Sequence, residues 1–525
     1  MSGVTRALGR THVRVLAIVA VALAAMLPAG KAQAAPSQAA CDARANNTPQ
    51  KMIECIRVGQ VREHQAALQA IADANDGTRA AGLPGYTASV DYVVDTLEAA
   101  GWDVTLDEFD FEFIPPAVLE QVTPVSATYE TGPFTGSGSG DITGPVVPVD
   151  INLTPPRDST SGCEASDFTG SDFTGPNDIA LIQRGTCTFA DKAVNAQAAG
   201  AEAVIIFNQG NDPTREGLIV GTLLPGGESV TIPVVGASFA DGEALAQAGS
   251  TAHIKVDPPE SRPQVNVIAE RTGANDDNVV MAGAHLDSVQ AGPGINDNGS
   301  GSSVLLEVAQ QLAHVKLQNT VRLAWWGAEE EGLLGSTAYV DGLSQAEKDR
   351  IALYMNFDMV GSPNYIFMTQ DADESSFEAP VAIPDGSVAI EDLFESFYTK
   401  QDEPYDDAAF DGRSDYQAFI QNDIPAGGLF TGAEVPKTAE QQAIWGGTVG
   451  AQFDPCYHLA CDTFANNNDH ALGVNADLIA FAVLTYAYST ESVNGVPGTS
   501  VPGNFQLPAP AGTQGTCPVN PPTCT

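Results

Sequence analysis

Val90, Val93, Val94 and Leu97 fall at i, i+3, i+4 and i+7, and Gly101 follows as a stop, so this stretch predicts a helix with one apolar face. Residues 104–113 then alternate like a half-buried strand, and 56–115 as a whole reads as helical followed by extended. The rhythm changes near residue 118. Residues 119–258 are rich in Gly, Pro, Thr and Val, with short apolar runs at 144–149 and 203–207, which predicts a small β-rich unit. One helix is expected in it, over 190–199. From residue 262 onward, 279–284 reads as a strand, 303–313 as a helix, and 321–326 and 355–360 as strands. Such alternation predicts an α/β fold, a mixed, largely parallel sheet sandwiched by helices. Sites on these sheets lie at the carboxyl ends of the strands. The Pro/Gly/Thr-rich tail over 491–525 is expected to be a flexible appendage from residue 495 on.

A chain of 525 residues exceeds what one core fills, so two or more domains are expected, and 43% hydrophobic residues suffice to build them. Arg6, Arg10 and Arg14 precede an apolar run over 15–27 that is short for a membrane span, and Ala32-Gln33-Ala34 offers a small-residue cleavage site. Residues 1–34 therefore read as a signal peptide cleaved near Ala34, and the chain as secreted. Cys41 lies well past the run, and Gln38 stands where a lipid-attachment signal wants an aliphatic residue.

Eight cysteines in an exported chain favour disulfides. Proximity suggests Cys41–Cys55, Cys163–Cys187, Cys456–Cys461 and Cys517–Cys524, out of about 105 possible connectivities. The formal charge is -43. Removal of residues 1–34 takes away four basic residues and no acids, leaving 19 minus 66, or -47. Such a surface repels nucleic acid and anionic membranes, so neither is expected as a partner. A monomer is expected.

Several segments rich in acids and histidine stand at predicted strand ends. They are Ala284-His285-Leu286-Asp287-Ser288, Gly327-Ala328-Glu329-Glu330-Glu331-Gly332-Leu333 and Asn356-Phe357-Asp358-Met359, with Asn296-Asp297-Asn298-Gly299-Ser300-Gly301 just before a helix. A histidine follows within Cys456-Tyr457-His458-Leu459-Ala460-Cys461. Taken singly, each has an ordinary structural reading: a packed histidine, a helix cap, a solvated charge run. Together, Asp, Glu and His at strand ends converge on one face, and this donor mix suits Zn²⁺. Two metals need more than four ligands or a bridging carboxylate, and His285, Asp297, Glu330, Asp358 and His458 supply five. No G-x-S-x-G elbow and no H-E-x-x-H helix competes.

These motifs, with Gly412-Arg413-Ser414-Asp415 and the stretch from Arg79 to Ala100, resemble the secreted bacterial leucine aminopeptidases with two co-catalytic zincs. That superfamily also holds aminopeptidase Y, glutamate carboxypeptidase and the transferrin receptor ectodomain. The resemblance covers 56–115 and 262–490. It implies two Zn²⁺ per chain: one held by His285 and Asp358, the other by Glu330 and His458, with Asp297 bridging. It implies Glu329 as general base for attack by a metal-bridging water, Asp287 as the acid orienting His285, and Tyr457 as a hydroxyl for the oxyanion. Arg413, Met359 and Phe430 match positions near the substrate. Where close relatives carry His-Ala-Pro after Arg-Ser-Asp, this chain has Tyr416-Gln417-Ala418, a difference at the substrate rim.

Gly185-Thr186-Cys187-Thr188-Phe189 and the stretch from Lys192 to Gly200 resemble a protease-associated (PA) domain, which makes 119–258 an insert in a discontinuous zinc peptidase domain of 41–118 and 259–490. The implied activity is removal of apolar, leucine-like residues from peptides with a free N-terminus. A carboxypeptidase or dipeptidase of the same superfamily is the alternative, and a non-catalytic binding ectodomain a further one; the latter expects broken ligands, and all five are present.

Overall fold

The computed structural model describes residues 36–517. The expected signal peptide and Cys524 lie outside the described residues. One strand, β1 (Asp103–Phe113), precedes a run of seven: β2 (Val118–Thr123), β3 (Ala127–Tyr129), β4 (Gly140–Val149), β5 (Ile179–Gln183), β6 (Ala203–Phe207), β7 (Val234–Ala237) and β8 (Thr251–Val256). Seven more follow: β9 (Glu260–Arg271), β10 (Asn275–His285), β11 (Asn319–Trp326), β12 (Ile351–Phe357), β13 (Met368–Gln370), β14 (Asp406–Ala408) and β15 (Ala426–Phe430).

The strands sort into two sheets. Strands β2–β8 form the smaller, in the order β3-β2-β8-β4-β5-β6-β7. The larger runs β1-β9-β11-β10-β12-β15-β13-β14, so the chain leaves it after β1 and returns at β9, which pairs antiparallel with β1 along its whole length. Its centre, β11-β10-β12-β15, is parallel, and its flanks contain antiparallel pairs. Besides the expected helix at Phe189–Ala199, the smaller unit has another at Phe239–Leu245, started by the Ser238 side chain.

Period-two alternation loads both faces of the large sheet. Val280, Ala282 and Ala284 face a core shared with Val304, Leu305, Val308, Leu312, Leu478 and Val483, whereas Met281 faces Trp326, Tyr339, Tyr354 and Phe419. The helix Asp469–Tyr488 is apolar on all sides because it is enclosed on nearly all sides.

Three proximity pairings are realised: Cys41–Cys55, Cys163–Cys187 and Cys456–Cys461. Cys517 is disulfide-bonded as well. The tail departs from expectation. Val501, Phe505 and Leu507 pack against the main core, and the Lys400 ammonium donates to Gln506 O at 2.7 Å. Gly515 N and Thr516 N donate to the Asp406 carboxylate at 2.9 and 2.8 Å. After the short helix Glu491–Asn494 no regular element follows among the described residues, yet three spaced apolar side chains suffice for docking.

Glu307, fully buried in the helix Gly299–Leu312, meets the Gln311 amide at 3.0 Å and the His64 ring at 3.9 Å. Burial, reinforced by Asp42 and Glu63, pushes its carboxyl up to about 8. The folded state thus holds this proton more tightly than the unfolded chain, where a Glu titrates near about 4.3. The resulting stability is fully present below that value and is lost as pH rises through about 8. Glu307→Gln should therefore flatten the fall of Tm between about pH 5 and 8 and raise Tm at the upper end. Melting curves of both proteins across that window test it; parallel curves would refute it.

Candidate functional site

Three strand ends lie side by side. In the parallel pairing His285 on β10 sits opposite Trp326 on β11, and Gly283 opposite Asn356 on β12. The residues following β11 and β12, Glu329 and Glu330 on one and Asp358 on the other, therefore emerge beside His285. Strand β12 stops at Phe357, short of the expected 360, and the chain turns away at Met359 with φ 49. The helix expected from 303 begins at Gly299, with the Asn298 side chain accepting from Gly301 N. The Asn-Asp-Asn-Gly motif is thus a helix cap and at the same time presents Asp297. A Cβ on Gly301 would lie 2.1 Å from Phe357 O, so only glycine lets this helix start press onto the strand end that carries Asp358. His458 arrives from the short loop closed by Cys456–Cys461.

The five candidate metal-binding residues and Glu329 converge. His285 Nε2 lies 3.2 Å from Asp297 Oδ1, 3.3 Å from Asp358 Oδ1 and 3.9 Å from Glu329 Oε2. His458 Nε2 lies 3.3 Å from Asp297 Oδ2 and 3.0 Å from Glu330 Oε2. Each oxygen of Asp297 therefore faces a different histidine. Burial pushes Glu330 up to about 7, and Asp297 beside it adds to the shift. Burial likewise raises Glu329, with Asp358 and Asp415 adding and His285 opposing. His285 is pulled down by burial, but Asp358, Glu329, Asp287 and Asp297 more than reverse this. Two buried carboxylates, Asp297 and Glu329, and two partly buried ones, Glu330 and Asp358, surround two imidazoles, and Glu330 Oε1 lacks any hydrogen-bond partner among the described residues; this donor set fits divalent metal.

Asp287 is fully buried and does more than face a histidine. Its Oδ1 is 3.7 Å from His285 Nδ1, and its two oxygens accept from Glu329 N and Glu330 N at 3.2 and 3.3 Å. Residues with no role assigned from sequence complete the frame. Ser414 Oγ donates to Asp358 Oδ2 at 2.6 Å and accepts from Asn356 Nδ2 at 2.8 Å. Asp462 accepts from Asn296 N and Asp297 N, both at 2.9 Å, and Asn466 donates to it and to Asp454. Arg79 is fully buried and donates to Pro293 O and Gly294 O at 2.8 and 2.6 Å. Burial lowers it to about 10, while Asp287, Asp462 and Asp297 oppose that shift. Sequence signals existed for these: Ser414 stands within the Gly-Arg-Ser-Asp motif, Asp462 directly follows Cys461, and Arg79 opens the similar N-terminal stretch.

A cleft of about 360 Å³ opens beside the cluster. Met359, Phe430, Leu429, Ala408 and Ala433 give it an apolar part, and Arg413, Tyr457, His458 and Tyr416 form its other walls. All three residues expected near the substrate line it. Arg413 Nη2 donates to Tyr457 OH at 3.2 Å and pairs with Glu434 at 3.1 Å. Tyr416, at the altered rim, donates to Asp411 Oδ1 at 2.9 Å and accepts from Gly412 N at 2.9 Å, which fixes the loop that carries Arg413.

Residues 266–483 match the profile of peptidase family M28, and residues 142–245 that of the PA domain. An aminopeptidase of Pseudomonas aeruginosa is 47% identical over 460 residues, 85% of this chain and 84% of the relative. The chain belongs to peptidase family M28. A probable lipoprotein aminopeptidase of Mycobacterium tuberculosis is 42% identical, covering 83% of this chain and 86% of that one. Among solved structures, BSAP, a zinc aminopeptidase from Bacillus subtilis, superposes with a TM-score of 0.60 at 27% identity, over 82% of this M28 chain and 94% of its own.

Proposed function

We propose that this M28 peptidase is a secreted aminopeptidase that holds two zinc ions and removes apolar, leucine-like residues from the free N-termini of peptides. The observation that carries the reading is Asp297, whose two oxygens face His285 and His458 at 3.2 and 3.3 Å, as a carboxylate shared by two metals requires. His285 and Asp358 complete one set of donors, Glu330 and His458 the other. When bound, the metals polarise the scissile carbonyl and make a water acidic enough to attack at neutral pH. Glu329 belongs to neither set. It accepts the proton of the attacking water and delivers it to the leaving amine nitrogen, so that the amine departs neutral. Burial, with Asp297 and Glu330 nearby, raises the Tyr457 phenol, which keeps it protonated as a donor to the oxygen where charge develops. Asp287 holds the His285 ring and the Glu329–Glu330 backbone together.

The choice of the N-terminal end rests on charge. The cleft wall carries Asp297, Glu329, Glu330, Asp358 and Asp411, while its guanidinium, Arg413, is already paired with Glu434. That wall attracts an ammonium group and leaves no free cation for a C-terminal carboxylate, which disfavours a carboxypeptidase. The apolar part around Met359 and Phe430 suits a leucine side chain, and a 44% identical relative from Aspergillus fumigatus is named probable leucine aminopeptidase 2. Leucyl peptides should be cleaved, and their N-acetylated forms at least about 100-fold more slowly, because acetylation removes the ammonium and its charge-assisted contacts. Paired assays of the two substrates decide this; equal rates would overturn the reading.

A further inference from the structure

The geometry points to a structural calcium site, separate from the catalytic cluster, built from Glu391 and Glu395 of the helix Ser387–Lys400, Asp407 of β14 and the carboxylates of Asp371 and Asp373. One oxygen each of Glu391, Glu395 and Asp407 lie within 4.8 Å of one another, and the same holds for Asp371, Asp373 and Glu391. Ligands of one Ca²⁺ sit at about 2.3–2.6 Å from it, so two of them can be at most about 5 Å apart, and both groups satisfy that limit.

Acids often gather without a cation, and the decisive observation is a single atom. Asp407 is fully buried. Its Oδ2 accepts from Ser376 and Ser375, but its Oδ1 has no hydrogen-bond partner among the described residues. A buried carboxylate oxygen with no partner carries the full cost of its desolvation unless something positive meets it. Among the described residues, no Lys, Arg or His forms an ion pair with any of the five. Glu391 and Glu395 are moreover a like-charged i, i+4 pair on one helix face, an arrangement unfavourable by itself. Burial and mutual repulsion push Glu391 up to about 9, Glu395 to about 7 and Asp407 to about 6, so the site is strained whenever it ionises without a cation.

The donor set is oxygen only. That selects a hard cation of the calcium class and disfavours zinc, which prefers nitrogen and sulfur alongside oxygen. The site's position gives it a consequence. Asp371 directly follows Gln370, and Asp407 directly precedes Ala408; Gln370 and Ala408 both line the substrate cleft. An ion here ties the ends of β13 and β14 to the helix behind them and braces that wall.

The test uses the full chain with its zinc retained. ⁴⁵Ca²⁺ equilibrium dialysis in excess zinc should show close to one calcium per chain, and millimolar CaCl₂ should raise Tm. Asp407→Asn and Glu391→Gln should keep their zinc content and leucyl-peptide turnover in the absence of calcium. They should lose calcium binding by at least about 100-fold, since each removes a charged ligand. Asp407→Asn should melt no lower than the parent without calcium, because it relieves repulsion. If that variant fails to fold, Glu395→Gln, at a less buried position, replaces it. No calcium bound by the parent, or equal binding by the variants, overturns the proposal. Zinc content is read separately, so a failure here is distinct from a failure of the two-zinc reading.

Discussion

Glu329→Gln should leave the zinc content unchanged and cut turnover of leucyl peptides by about 10²–10⁴-fold, the usual contribution of a general acid–base group. The substitution keeps size and removes basicity. Its neighbour provides the control. Glu330 Oε2 lies 3.0 Å from His458 Nε2 and its Oε1 is buried without a partner, so Glu330→Gln should lower zinc occupancy as well as activity. A crude charge argument treats the two adjacent acids alike, and only their different directions from the strand end separate them. Both backbone N–H groups are held by Asp287, so neither substitution disturbs the loop. Glu329→Gln should also keep its affinity for a competitive inhibitor that binds metal, because the metal-binding side chains remain. Metal analysis and steady-state rates on both variants decide the matter. If Glu329→Gln loses zinc while Glu330→Gln keeps it, the roles are reversed.

The convergence of His285, Asp358 and the Glu329–Glu330 pair was legible because strands were. An apolar run of five or six residues ending in a charged residue marks a buried strand and its exit, and adjacent parallel strands bring such exits level. The inner boundaries were less legible. The helix at Gly299 starts four residues before its apolar pattern, because Gly299-Ser300-Gly301-Ser302 carries no periodicity and is recruited by the Asn298 cap and by contact with β12. Strand β12 ends three residues early because Met359 adopts a positive φ that composition does not announce. The roles of the supporting groups Asp462, Asp454, Asn466 and Ser414 were not legible, although Ser414 and Asp462 stand in or beside motifs, for a different reason. Asp462, Asp454 and Ser414 reach residues far away in the chain, Asn296, Asp297 and Asp358, and Asn466 reaches them only through Asp454 and Asp462; a single polar residue in a loop does not announce such a partner. The tail misled for the same reason in reverse: its irregular composition concealed three apolar anchors, Val501, Phe505 and Leu507.

Asp297→Asn should have the largest effect of all. In the proposed site Asp297 is the one residue that serves both metals, and the amide substitute can present an oxygen to only one histidine's side. Its NH₂ would then point at the other side, where it repels a cation. Zinc content should fall from close to two per chain to about one or less, and turnover should drop by more than Glu329→Gln alone produces, over about 10⁴-fold. The fold should survive. The loop around Asp297 is held by its backbone, with Asp462 accepting from Asn296 N and Asp297 N, and the Asn296 side chain donates to Asp454 at 2.7 Å. None of these contacts uses the Asp297 carboxylate. Near-ultraviolet circular dichroism should therefore match the metal-free parent, which separates loss of metal from loss of structure. A variant that keeps one zinc per chain would place the remaining amide oxygen on one ion's side and the lost ion on the other, as the shared role requires. A variant that keeps both would leave the facing of its two oxygens toward His285 and His458 without any part in metal binding.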